Sequence, residues 1–245
     1  MKFLEEFTNS FFGYGNLKSD IWFIGHEEGS SQNSVAELEA RVNLWVKMEK
    51  KIVVNCKDFH LNLKMKNEEP FTKGKRQPTW DRYIDFIKSI KNLNINNTRE
   101  KKDFLNFKFA QEDSDHCLLE LFPIPCSKIL SWNYSILSEE YEYFKTKEAY
   151  RSYVVDFRLN KIINLIKNNK PKVIIFNGVG IKPYTTLSYW EMIIQQKPKL
   201  IQINNNYFYH NINNDINYFI VPKLIYTKNE IIFNIGKLVS NLFKN

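Results

Sequence analysis

The chain has 245 residues, 43% hydrophobic and 25% charged, a globular balance that excludes a disordered chain. Lys and Arg number 35 against 27 Asp and Glu, and this net +8 points to a polyanionic partner such as nucleic acid, with solubility as the plain alternative. Three cysteines, Cys56, Cys117 and Cys126, form no CxxC pair, which excludes a zinc ribbon and a four-thiolate cluster and predicts free thiols in a reducing, cytoplasmic setting.

Met1-Lys2-Phe3-Leu4-Glu5-Glu6 carries acids where a signal peptide is apolar, and no apolar run approaches the ~20 residues of a membrane span, so no membrane partner is expected. Asp20-Ile21-Trp22-Phe23-Ile24 is a short apolar run that stops at Gly25. Ser34 then caps a helix with apolar residues at Val35, Leu38, Val42, Leu44, Trp45 and Met48. Strand, tight loop and helix open a βαβ-type unit. Further apolar runs are Cys117–Phe122, broken by Pro123 and Pro125, then Val173–Phe176, ended by Asn177-Gly178-Val179-Gly180, and Tyr218–Val221, stopped by Pro222. Each reads as a strand buried on both faces. Helices are predicted over Thr79–Ile90 and Tyr150–Asn168, and from a capping box at Thr227-Lys228-Asn229-Glu230 toward Leu242.

The predicted fold class is α/β: one domain over 1–245, with a mostly parallel four-stranded central sheet flanked by helices on both faces. Residues 49–78 and 91–116 are polar and basic and read as loops or insertions, and Tyr207-Phe208-Tyr209 reads as an extra edge strand. Ligands of such sheets lie beyond the carboxyl ends of the strands. That rule selects residues 25–31, 120–126, 177–180 and 221–226. In the first of these, Gly25-His26-Glu27-Glu28-Gly29-Ser30-Ser31, two glycines permit a close backbone approach to a ligand and two adjacent carboxylates need solvent or a task.

Phe12-Gly13-Tyr14-Gly15-Asn16, followed by Asp20 to Gly29, resembles the first motif of the uracil-DNA glycosylase superfamily. Glu27 stands where members hold the Asp or Asn that orients or activates water, and Glu28 replaces the usual Pro. Leu118-Leu119-Glu120-Leu121-Phe122-Pro123 is similar to the family's second strand, with Glu120 in place of the base-reading Asn. Lys223, in Val221-Pro222-Lys223-Leu224, stands where members carry a His, and Phe71 matches the stacking aromatic. The resemblance spans roughly residues 10–245, and the three cysteines exclude the cluster-bearing branch.

The resemblance implies a monomeric DNA glycosylase, without cofactor or metal, that flips a pyrimidine from duplex or single-stranded DNA and hydrolyses its N-glycosidic bond. Glu27 would stabilise the cationic sugar and take a proton from water, and Lys223 or His26 would assist the departing base. Phe71 or Phe122 would stack on the base over Gly25. Lys73, Lys75 and Arg76 would hold phosphates, as would backbone N–H groups at Asn177 and Gly178. An ionised Glu120 only accepts hydrogen bonds, which suits the amine of a cytosine, modified at C5 as in phage DNA, with uracil the alternative. Three other readings stand beside this one: a lyase in which the Lys223 amine attacks C1′, a non-catalytic DNA-binding protein on the same fold, and an unrelated α/β enzyme acting on nucleotides or sugars. Asp113-Ser114-Asp115-His116-Cys117 lacks metal-ligand spacing, and His60 and His210 read as surface or core residues.

Overall fold

The apolar run after Asp20 forms the middle of the sheet, covered on both faces. The computed structural model describes residues 1–30, 34–64, 68–126, 132–178, 180–181, 184–203 and 206–243. The chain opens with α1 (Leu4–Ser10), β1 (Gly13–Gly15), β2 (Ile21–Glu27) and α2 (Val35–Lys47), whose first turn is capped by Ser34 as the sequence predicts. Next come β3 (Val53–Val54), α3 (Cys56–Leu63), α4 (Glu69–Thr72), α5 (Pro78–Lys91), α6 (Thr98–Phe107) and β4 (His116–Phe122). α7 (Lys147–Asn169), β5 (Val173–Asn177), the short pair β6 (Gly180–Ile181) and β7 (Tyr184–Thr185), and α8 (Thr186–Ile194) follow. The chain closes with β8 (Lys199–Ile203), β9 (Asn206–Asn213), β10 (Ile216–Val221) and α9 (Asn229–Leu242).

The main sheet has eight strands in the order β3-β1-β4-β2-β5-β10-β9-β8 and is mixed, which corrects the four-stranded parallel expectation. The four strands read from the apolar runs, β4, β2, β5 and β10, are adjacent and parallel at its centre. β1 is antiparallel to β4, β3 is parallel to β1, and β8 and β9 continue antiparallel from β10. These additions escape an apolar-run reading because β1 and β3 are very short and β9 mixes aromatics with Asn. Tyr207–Tyr209 lies inside β9, so β8 takes the edge instead. β1 reaches β4 through glycine: Gly15 has φ +103, and a Cβ there would sit 2.7 Å from His116 O.

The two covering layers follow from strand alternation. Phe23 packs against Tyr83 and Phe86 of α5, ring centroids 5.0 and 5.9 Å away. Its neighbour Ile24 is on the other face, where it lines a small cavity together with Leu159 and Ile162 of α7 and Tyr189 and Ile193 of α8. α9 lies on α5, where Ser89 Oγ donates to Phe233 O at 2.8 Å. Buried Arg158 of α7 donates to the carbonyls of Thr8, Glu120 and Leu121 and lies 3.9 Å over the Phe12 ring, tying α7 to α1 and β4.

The segments read as loops at 49–78 and 91–116 contain β3, α3, α4 and α6. α6 opens on a capping box between Asn97 and Glu100. The box expected at Thr227–Glu230 does not form: Lys228 is the N-cap without a side-chain bond, and Thr227 Oγ1 donates to Lys223 O instead. Cys56, Cys117 and Cys126 are free and buried. Among the described residues, no helix is long and apolar enough to cross a membrane.

Candidate functional site

The parallel core sets the ends of β2, β4, β5 and β10 side by side, with Glu27 in register with Phe122 and Val221 with Asn177. The four segments selected from the sequence therefore meet at one edge. Just beyond β2 lies a cavity of about 160 Å³ lined by Glu28, His60, Pro70, Lys75, Arg76 and Trp80, among others.

Glu28 is the acid of this cavity, and it is held by buried partners. Tyr14 Oη donates to its Oε2 at 2.7 Å, and Arg41 donates to both oxygens at 3.0 and 3.3 Å. Arg41 also binds Glu37, which accepts from Ser30 Oγ at 2.6 Å. Burial would raise the Glu28 pKa, but Arg41, His60 and Tyr14 outweigh it and hold the carboxyl below its ordinary range. Glu28 is thus ionised at neutral pH. The Gly-Tyr-Gly stretch before β2 supplies Tyr14, and α2 supplies Arg41.

Glu27 faces elsewhere. Its carboxylate binds Lys147 Nζ at 2.8 Å and Arg151 Nη2 at 3.0 Å, both from α7. Phe122 is fully buried in the same region, under the Arg151 guanidinium at 5.2 Å, and His26 packs between Phe122 and Tyr189. None of these three residues lines the cavity, although adjacency in sequence grouped them with it. Successive strand residues point to opposite faces, and β2 ends by sending neighbouring acids to different layers.

Glu120 pairs in register with Gly25, and its carboxyl lies against that glycine, where a Cβ would come 2.7 Å from Glu120 Cδ. Its Oε2 is shielded from solvent and has no hydrogen-bond partner among the described residues. Burial, then Glu28 and Glu27, push this carboxyl well above the usual carboxylate range, while Arg158 and Lys223 oppose them. A carboxylic acid protonated at neutral pH donates as well as accepts. The cytosine reading takes Glu120 as an ionised acceptor, whereas its raised pKa favours the protonated form, which also donates.

Asn177 is a structural cross-link: its Nδ2 donates to Tyr83 Oη at 2.9 Å and its Oδ1 accepts from Leu224 N–H at 3.0 Å. Gly178 N–H donates to Val221 O at the end of the neighbouring strand β10 at 3.0 Å, so it is engaged between strands, and Val179 lies outside the described residues. Lys223 is exposed, with Nζ 5.6 Å from the Tyr226 ring centroid. At the cavity mouth, Lys75 pairs with Glu69 and Arg76 with Asp81, while Lys73, outside the lining, also pairs with Glu69; all three cations are largely in solvent. Phe71 is buried behind the wall against His60 and Trp80, so Trp80 is the aromatic that meets the cavity.

His60, Trp80 and Arg41 were not among the residues selected from the sequence. A signal was present in two cases: His60 shares the buried stripe Cys56, Phe59, Leu63 of α3, and Arg41 interrupts the stripe Leu38, Val42, Trp45 of α2. A polar group on an apolar helix face needs a partner or a task. The Asp113–Cys117 stretch is structural: His116 Nε2 accepts from Ala110 N–H at 2.9 Å, and Asp115 binds Lys91 and His116 Nδ1. Among the described residues, no three His, Cys, Asp or Glu side chains gather as metal ligands.

Comparison with models of known protein families, with curated proteins and with solved structures gives no match. The functional reading therefore rests on the chain's own residues.

Proposed function

We propose that this protein is a DNA glycosylase that extrudes a pyrimidine nucleotide and hydrolyses its C1′–N bond, leaving an abasic site. The observation that carries the reading is the cavity at the end of the first core strand, with ionised Glu28 in its wall and Lys75 and Arg76 at its mouth. The exposed mouth cations exchange their largely covered carboxylate partners, Glu69 and Asp81, for DNA phosphates. The sugar of the extruded nucleotide then lies near Glu28.

As the C1′–N bond breaks, its electron pair leaves with the base and positive charge builds on the sugar. The fixed carboxylate of Glu28 stabilises that charge, water adds to C1′, and the proton water loses passes to the departing base. Glu28 takes the role that the family resemblance placed on Glu27, because Glu27 is bound by Lys147 and Arg151 outside the cavity. The net +8 charge supports association with DNA.

The test is abasic-site formation, scored by alkaline strand cleavage, in duplexes containing uracil, cytosine or C5-substituted cytosine. Wild-type protein is expected to cleave at a pyrimidine. Glu28→Gln should lower the rate by roughly 10²–10³ while DNA binding persists, by analogy with the loss of one transition-state-stabilising group. Full activity in Glu28→Gln, or no abasic sites with any of these pyrimidines, contradicts the proposal.

A further inference from the structure

The cavity contains a histidine whose hydrogen-bonding groups are unmet. His60 is 0% exposed, and neither ring nitrogen has a hydrogen-bond partner among the described residues. Glu28 Oε1 lies 3.6 Å from Nε2, too far for a hydrogen bond. Leaving a buried polar group unsatisfied costs about 1–3 kcal/mol, and native interiors hold few such groups. His60 belongs to the cavity wall, with its ring nitrogens just behind the surface, so a molecule seated in the cavity meets them through a small shift of that wall.

The size and lining of that place define what fits. About 160 Å³ is close to the roughly 150 Å³ that accommodates one benzene ring in an apolar protein cavity. Here the lining is not purely apolar. Trp80 lies 5.0 Å from the His60 ring centroid, with Phe71 behind them, and the Glu28 carboxylate stands beside the imidazole. Burial outweighs the pull of Glu28 and lowers the His60 pKa to about 4, so the imidazole is neutral and offers one donor and one acceptor.

We propose that this cavity binds a single polar six-membered ring, a pyrimidine base, and that His60 reads it through a hydrogen bond that the protein alone leaves unmade. Trp80 supplies the apolar wall for the ring face. Lys75 and Arg76 at the mouth meet the phosphate of a nucleotide whose base is inside. A single ring matches this volume, whereas a purine adds a second fused ring that has to project toward the mouth. That the ring comes from an extruded DNA nucleotide rests on the glycosylase reading; the ring site itself does not.

The experiment is a calorimetric titration of the full chain with deoxyuridine, deoxycytidine and deoxyadenosine monophosphates, followed by base-release assays on DNA with the same preparations. At least one pyrimidine nucleotide is expected to bind and the adenine nucleotide not. His60→Ala should weaken pyrimidine binding about tenfold, with circular dichroism confirming the fold, and His60→Gln, which keeps a donor and an acceptor, should recover part of the loss. Absence of pyrimidine binding, equal purine binding, or unchanged affinity in a folded His60→Ala protein overturns the ring site. Pyrimidine binding by a wild-type protein that releases no base from DNA overturns the glycosylase reading and leaves the ring site standing.

Discussion

The Glu120 carboxyl occupies the space that a side chain on Gly25 would need: the two residues pair across adjacent parallel strands, and a Cβ on residue 25 would lie 2.7 Å from Glu120 Cδ. The requirement for glycine is steric. Gly25→Ala should therefore destabilise the protein by about 1–3 kcal/mol, the usual cost of overpacking. The penalty should shrink when Glu120 is truncated to Ala in the same chain, because the clashing group is gone. Urea unfolding of the two single variants and the double variant measures the coupling, and additive penalties contradict the contact.

Neighbouring acids give this protein two opposite pH slopes. Glu28 has a lowered pKa in the fold, so the stability it contributes is present above the unfolded carboxylate range and is lost as pH falls through its folded value. Glu120 has a raised pKa, so its contribution is present below the unfolded range and is lost as pH rises through its folded value. Glu120→Gln mimics the protonated acid and should flatten the fall on the alkaline side without altering the acid limb. Chemical unfolding across pH checks this. An unchanged alkaline slope in Glu120→Gln refutes the protonated assignment.

Glu27 and Glu28 should separate experimentally although they are adjacent. Glu27→Ala removes the carboxylate between Lys147 and Arg151, two cations almost entirely buried, and should cost roughly 3 kcal/mol of stability. Base release per folded molecule should stay near the wild-type rate. Glu28→Gln should do the reverse in kind, with release falling far more than folding. Urea midpoints compared with single-turnover rates for both variants decide, and a Glu27 variant that folds normally but releases no base would return the role to Glu27.

Lys75→Ala and Arg76→Ala should weaken DNA binding to a similar degree on every sequence, since phosphates carry no sequence information. Each change should also reduce the slope of log affinity against log salt by about 1. Fluorescence anisotropy at several salt concentrations measures it. An unchanged salt slope removes both residues from the interface.

The sequence carried the parts that long apolar runs encode. β2, β4, β5 and β10 were legible because strands buried on both faces are nearly continuous in apolar residues, and the carboxyl end of β2 borders the cavity. β1 and β3 were not legible, because very short strands leave no pattern to detect. Around the cavity, the stretch from Gly25 to Glu28 was legible as the end of the first core strand, although the strand runs on to Glu27 rather than stopping at Gly25, and the division of labour within it was not legible. Whether Glu27 or Glu28 faces the cavity depends on where α2 and α7 place Arg41, Lys147 and Arg151, and those contacts are remote in sequence. The tendency of Glu120 to hold its proton likewise depends on burial and on the nearby Glu28 and Glu27, which residue type alone does not reveal.

The most direct measurement is mass spectrometry of the bases liberated when wild-type protein is incubated with a panel of DNAs that differ in base content. The account predicts a free pyrimidine, accompanied by one abasic site per base released. Liberation of a purine, or intact DNA across the panel under conditions where the protein binds it, would contradict the account.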